Sequence, residues 1–278
     1  MGKIDQLCLF CQTSDMIIDF HAHIYPQQAA AKVFSAAKKK LKVEVPGTGS
    51  PEDLAMRAAR ANIDATVILP LARGIEDVSA LNRWVCSVAV PGQIPFGAIH
   101  PLMPDLAAEL DRLEGRGCQG VKMMPLLQAV FPDDPRCGRL YEEVTRRDMI
   151  LITHAGKDPM DREEVYGTPD RFARVVESYP EMRLVLAHLG GLRMWEEVRR
   201  HLLPAGGRVF FDTAYVSFYL NGCQMKELIE EIGPERVVFG SDYPWEDPGR
   251  ALGILKGLDL ANQEEMAGGN ARRLLGLP

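Results

Sequence analysis

From Met16 onward, short apolar runs rich in β-branched residues alternate with longer amphipathic stretches, and the ends of the apolar runs recur at intervals of roughly thirty residues. Nothing else in the chain limits its fold so strongly, because a strand that must return through a helix to lie parallel to its predecessor leaves few topologies open. Eight such runs are read, at 16–20, 64–70, 94–99, 118–123, 148–153, 183–187, 207–212 and 236–241. Several, such as Ile150-Leu151-Ile152 and Leu184-Val185-Leu186, are apolar throughout, as strands buried on both faces of a parallel sheet should be. The stretches at 51–62, 75–90, 104–116, 135–147, 169–178, 194–203 and 221–232 carry helical periodicity. Ser50-Pro51-Glu52-Asp53 shows how several of them open, with Pro in the first turn and acidic residues behind it.

Eight strands separated by helices predict an α/β fold, a (β/α)8 TIM barrel forming a single domain over residues 16–278. A doubly wound open sheet is the alternative, but no glycine-rich phosphate loop follows the first strand. The first connection, Ile24 to Ser50, is longer than one crossover needs, so an insertion with a helix over 27–41 is expected to cover the barrel mouth. Residues 248–255 and 264–275 read as closing helices, and residues 1–15, which show neither period, as an N-terminal extension outside the barrel.

The net charge of −6 argues against a nucleic-acid partner, and Lys38-Lys39-Lys40 with Lys42 reads as the solvated face of a helix. The six cysteines are scattered through a chain too long to need disulfide staples, which fits a reducing cytoplasm; Cys8 and Cys11 form a lone CxxC read as incidental. No apolar run approaches the roughly 18 residues that span a bilayer, and no signal-peptide pattern opens the chain. The expectation is a cytoplasmic protein with a small-molecule substrate, no nucleic-acid or membrane partner, and a possible homodimer.

Barrel enzymes carry their chemistry at the C-terminal ends of the strands. In Asp19-Phe20-His21-Ala22-His23 the two imidazoles, two residues apart on a strand, point the same way and make half a metal site. His100 ends the third strand, Lys122 lies near the end of the fourth, His154 ends the fifth and His188 the sixth. Asp212 closes the seventh, and Asp242 follows the eighth. Each histidine alone could be hydrogen-bonded to a neighbouring carbonyl and do nothing more. Five of the six histidines at strand ends, with two aspartates, are harder to explain that way.

As an ordered set, Asp19-Phe20-His21-Ala22-His23, Thr153-His154-Ala155-Gly156, Ala187-His188-Leu189-Gly190-Gly191, Gly240-Ser241-Asp242-Tyr243-Pro244-Trp245 and the terminal Gly269-Asn270-Ala271-Arg272-Arg273-Leu274-Leu275 resemble the amidohydrolase superfamily. The likeness is to its amidohydrolase-2 branch, which includes aminocarboxymuconate-semialdehyde decarboxylase and related aromatic acid decarboxylases. The resemblance implies one divalent metal ion, usually zinc, held by His21, His23, His154 and Asp242, with His188 as a base or electrostatic partner beside the metal-bound water and Asp242 able to shuttle a proton as well. Such an ion lowers the pKa of its water to about 7. In other branches a lysine in the position of Lys122 is carboxylated and bridges two metals; here Lys122 reads as an ammonium contacting substrate or a neighbouring carboxylate, the two-metal site being the alternative. Asp212 is expected to orient a metal ligand. His100, Arg73, Arg193 and Trp245 are candidates for substrate binding, with Tyr243 as a pocket wall.

The leading expectation is therefore a metal-dependent hydrolase of an amide, ester or lactone, and the alternative a nonoxidative decarboxylase of a small unsaturated or aromatic acid. A barrel that binds metal without turnover is the non-enzymatic reading.

Overall fold

The computed structural model describes residues 16–42, 44–159 and 164–277. The expected N-terminal extension and the Cys8/Cys11 pair lie outside the described residues.

The strands are β1 (Ile18–Ala22), β2 (Ala65–Ile68), β3 (Gln93–Pro95), β4 (Gly97–Ala98), β5 (Gly120–Met123), β6 (Ile150–Thr153), β7 (Leu184–Leu186), β8 (Val209–Asp212) and β9 (Val237–Val238), and every pairing between neighbours is parallel. They run in sequence order as two arcs, β1-β2-β3 and β4 to β9. The third expected strand, 94–99, is split between β3 and β4. Pro95 has no N–H to donate to a ladder, which breaks the regular pairing there. Phe96 still donates its N–H to Ile68 O at 3.1 Å, so the wall continues across the split. At the other seam Phe20 N–H donates to Phe239 O and Asp242 N–H to His21 O, both at 2.7 Å, joining the first strand to the last and closing the barrel.

Met16, Ile18, Phe20, Val67, Phe96, Ile150, Ile152, Val185 and Val238 form a buried cluster to which the outer helix residues Ala271, Leu274 and Leu275 also belong. Phe20 and Phe96 meet edge to face at 5.9 Å. A larger cluster joins the outer faces of the strands to the surrounding helices. The helix at Pro51–Arg60 starts as expected, with Ser50 Oγ accepting from Asp53 N–H.

Two expected helices are not regular. Residues 194–203 form a short α segment, Trp195–Glu197, then a π-turn at Val198–Leu202 and a 3-10 turn at Leu203–Ala205, where Pro204 offers no N–H to a continuing helix. The last closing helix begins as a π segment, Glu265–Gly269, before the α turn Asn270–Leu275. A β-carbon on Gly268 would lie 1.6 Å from Met16 O, so only glycine permits this approach to the start of the first strand. Buried Asn270 donates its side-chain N–H groups to Pro234 O (2.7 Å) and Val237 O (2.6 Å), fastening the helix to β9. Among the described residues no helix is long and apolar enough to cross a membrane.

Asn270→Ala should therefore lower stability by about 2–4 kcal/mol, since two carbonyls lose their donor. Urea unfolding followed by circular dichroism measures it; a loss under about 0.5 kcal/mol would show that the anchor carries no weight.

Candidate metal centre

The barrel brings together His21 and His23 from the end of β1 and Asp242 from the turn after β9, with one ligand atom of each within 4.8 Å of the others. The two imidazole Nε2 atoms are 3.1 Å apart, and Asp242 Oδ1 lies 3.4 Å from His21 Nε2 and 3.1 Å from His23 Nε2. The opposite ring nitrogens fix the tautomers. His23 Nδ1–H donates to Leu69 O at 2.7 Å, and His21 Nδ1–H donates to Asp212 Oδ2 at 2.7 Å. Each neutral ring then turns an Nε2 lone pair inward, towards a carboxylate oxygen. Three acceptors facing one another at this range are stable only around positive charge, and this donor set, two imidazoles and a carboxylate, suits a divalent ion.

His154 is set back from this trio. His188 Nδ1–H donates to Ala214 O at 2.8 Å, so its Nε2 is an acceptor, and it takes the Nδ1–H of His154 at 3.0 Å. That leaves His154 Nε2 as a lone pair, buried and without a hydrogen-bond partner. A buried acceptor left without a donor is what a further metal ligand requires. The His188 and His21 ring centroids are 5.5 Å apart.

Burial, then the Lys122 ammonium, holds His21 well below the usual imidazole pKa. Burial lowers His154 and His188 to about 4 each, so both are neutral at pH 7. For Asp242 burial works against the charged form, while a proton on His23, His21 or His188 would favour it and draw the carboxyl below the usual range. Lys122 Nζ is 3.4 Å from His21 Nε2; burial lowers its pKa to about 8 while Asp212 and Asp242 pull upward, so most of it remains an ammonium at pH 7.

Asp212, fully buried, accepts from His21 Nδ1–H, from His188 N–H at 2.9 Å and from Ala214 N–H at 3.1 Å. It thus ties β8 to histidines at the ends of two other strands. Asp19 does the same across the barrel seam, accepting from His21 N–H (3.1 Å), Ser241 N–H (2.9 Å) and Ser241 Oγ–H (2.6 Å). His188 (φ 61°) and Asp242 (φ 64°) both adopt left-handed backbone although neither is glycine, a strain found where a side chain must be aimed.

The remaining expected site residues are dispersed. His100 is buried, and its Nδ1 accepts from Leu102 N–H at 3.2 Å within its own turn. Arg73 is exposed. Arg193 lies over the Tyr219 ring at 5.6 Å, on the rim. Tyr243 is wholly buried and donates its hydroxyl to Asp53 at 2.7 Å, making it part of the core and not a pocket wall. Trp245 belongs to an aromatic wall at the mouth. His23 and Tyr25 are 6.4 Å apart, Tyr25 and Phe34 5.8 Å, and Phe34 and Trp245 5.8 Å, the last two pairs edge to face. Phe34 is on the insertion helix Gln27–Leu41, which is thereby seated over the site.

Sequence reasoning missed Asp19, Ser241, Tyr25 and Phe34. The signal for Asp19 was a carboxylate inside an apolar strand, which must have donors if it is buried.

The family model described as amidohydrolase matches residues 18–277. The chain belongs to the amidohydrolase family. Solved structures that this amidohydrolase resembles include 5-carboxyvanillate decarboxylase from Sphingomonas paucimobilis, at 16% identity and a TM-score of 0.69 over 95% of this chain and 100% of that one. A dihydroxybenzoic acid decarboxylase from Polaromonas sp. JS666, solved with bound manganese and the inhibitor 2-nitroresorcinol, matches at 15% identity and a TM-score of 0.72, over 94% and 97%. An uncharacterized TIM-barrel protein from Bordetella bronchiseptica gives 19% identity and a TM-score of 0.75, over 94% and 98%. At these identities the likeness establishes the barrel.

Asp212→Asn should weaken divalent-metal affinity of the amidohydrolase about 10- to 100-fold while leaving the fold intact. Competition with a chromophoric chelator reads this directly, and unchanged affinity would mean that Asp212 does not orient His21.

Proposed function

We propose that this amidohydrolase is a divalent-metal-dependent nonoxidative decarboxylase of a small aromatic or conjugated acid. One juxtaposition carries the reading: the facing lone pairs of His21, His23 and Asp242, the buried Lys122 ammonium and the wall of Tyr25, Phe34 and Trp245 share one barrel mouth. The lone pairs call for a cation, the ammonium for an anion, and the rings for a flat apolar body. End-to-end likeness to two decarboxylases of aromatic acids, one holding manganese, supports this reading over the hydrolysis that led from sequence alone.

His21, His23 and Asp242 would hold the ion, zinc or manganese, with His154 as the available further ligand. When bound, it supplies a Lewis acid for the oxygen atoms of the substrate. Lys122 adds a second positive charge beside His21, while the aromatic wall orients the ring and keeps water away from it. In the reaction the carbon bearing the carboxylate gains a proton, its bond to the carboxylate breaks with loss of CO2, and the electron pair of that bond returns to the ring system. We assign this proton to Asp242 and to His188, the latter by giving up the His154 Nδ1–H that its Nε2 accepts and taking the proton in its place. His188 is fixed for the task by Ala214 O and Asp212, which hold its ring and its backbone N–H.

Metal-reconstituted protein should release CO2 from one or more members of a panel of hydroxylated benzoates and related unsaturated acids, and in D2O the product should carry one deuterium at the carbon that lost it. Lys122→Met should lower kcat/KM at least about 100-fold. Hydrolysis of an amide, ester or lactone panel with no CO2 from any acid would overturn the proposal in favour of the hydrolase.

A further inference from the structure

Behind the metal centre one buried phenol joins parts of the chain that the barrel otherwise keeps apart. The backbone of Tyr243 belongs to the ligand strand: it pairs with Ala22 as a parallel bridge, and its carbonyl accepts from His23 N–H at 2.6 Å. Its ring belongs to a buried cluster with Leu54 and Val85, residues of the outer helices Pro51–Arg60 and Ile75–Val88. Its hydroxyl belongs to the insertion, where it accepts from Gly49 N–H at 3.0 Å and donates to Asp53 Oδ2 at 2.7 Å. That carboxylate oxygen also accepts from Thr48 N–H (2.9 Å) and Arg57 Nε–H (3.0 Å), and Arg57 reaches on to Asp247 (2.7 Å) and Pro46 O (2.6 Å). The end of the insertion is thus tied to the turn that follows Asp242.

Gly49 carries this network to the aromatic wall. It stands at φ 72°, and its carbonyl accepts from Tyr25 N–H at 2.9 Å. A β-carbon there would lie 2.9 Å from Phe34 Cζ and 3.1 Å from Tyr25 Cδ2, so both rings rest against the backbone that the Tyr243 hydroxyl holds. Tyr243 is fully buried, and no solvent is at hand to replace a lost partner of its hydroxyl. The same residue therefore holds the His23 backbone with its carbonyl and the footing of the wall with its side chain.

We propose that Tyr243, anchored by Asp53, is a positioning residue that sets how close the wall of Tyr25 and Phe34 stands to the metal centre, and with it the affinity for a flat ligand. This role is the same for decarboxylation and for hydrolysis. Tyr243→Phe keeps the ring and the backbone contacts with Ala22 and His23, so it leaves the trio of His21, His23 and Asp242 in place while releasing Gly49.

The test is made on the full chain. Gly49 N–H loses its acceptor outright in Tyr243→Phe, so the deciding amide is the next one along, Tyr25 N–H, whose hydrogen exchange followed by NMR should quicken at least about fivefold. In metal-loaded protein the affinity for 2-nitroresorcinol, a flat probe, should fall at least about fivefold, while divalent-metal affinity from chelator competition changes less than about twofold. Should Tyr243→Phe not fold, Asp53→Asn leaves every atom of the phenol in place and is expected to shift both values in the same direction. Asn270→Ala, which costs stability at a distant site, should leave probe affinity within about twofold and so separates loss of position from loss of stability. Unchanged exchange at Tyr25, or metal affinity that falls in step with probe affinity, overturns the proposal. Exchange needs no ligand and neither readout is turnover, so its failure is distinguishable from failure of the decarboxylase assignment.

Discussion

Three lone pairs that face one another inside a protein repel unless something positive lies between them, and much of this barrel's mouth is arranged around that condition. His21 Nε2, His23 Nε2 and Asp242 Oδ1 are held at this range because each is tied from behind: His21 by Asp212, His23 by Leu69 O, and Asp242 by its backbone bond to His21 O. Removal of these ties would let the rings turn away and relieve the repulsion. The protein instead spends buried carboxylates, Asp19 and Asp212, to prevent it. Those two are tolerable in the core because each accepts three hydrogen bonds.

The same condition separates the roles of the four strand-end histidines around the cluster. His21 and His23 turn lone pairs towards Asp242, whereas His188 accepts from His154 and passes the free lone pair on to His154 Nε2. One backbone carbonyl, Ala214 O, decides this order by taking the Nδ1–H of His188. A local loop conformation after β8 thus determines which nitrogen of a histidine two strands away is available for binding.

The barrel was legible because its strands are apolar on both faces and recur with the spacing of a crossover helix, and the cluster of His21, His23 and Asp242 because these residues stand where those runs stop. Less legible were features that depend on a partner far away in the chain. Pro95 splits the third strand only because of the ladder it would have joined, and the π-segments at Val198–Leu202 and Glu265–Gly269 arise from packing and not from periodicity. Asp19 looks like any strand residue until Ser241, 222 positions later, is seen against it. Tyr25 and Phe34 carry no motif, and their role follows from where the insertion helix lands. Tyr243, adjacent to a ligand in sequence, points away into the core, a reminder that neighbours in a turn face opposite sides.

The first and last strands meet at the seam, where Phe20 bonds Phe239 and Asp19 grips Ser241. The paired imidazoles are therefore among the first described residues to be synthesised, and their carboxylate counterpart among the last. A nascent chain carries its two histidines through most of translation without their carboxylate, and gains the complete trio only once the segment around Asp242 has left the ribosome. Metal capture by this route belongs to the finished polypeptide, and a chain broken off before that segment has no means of assembling it.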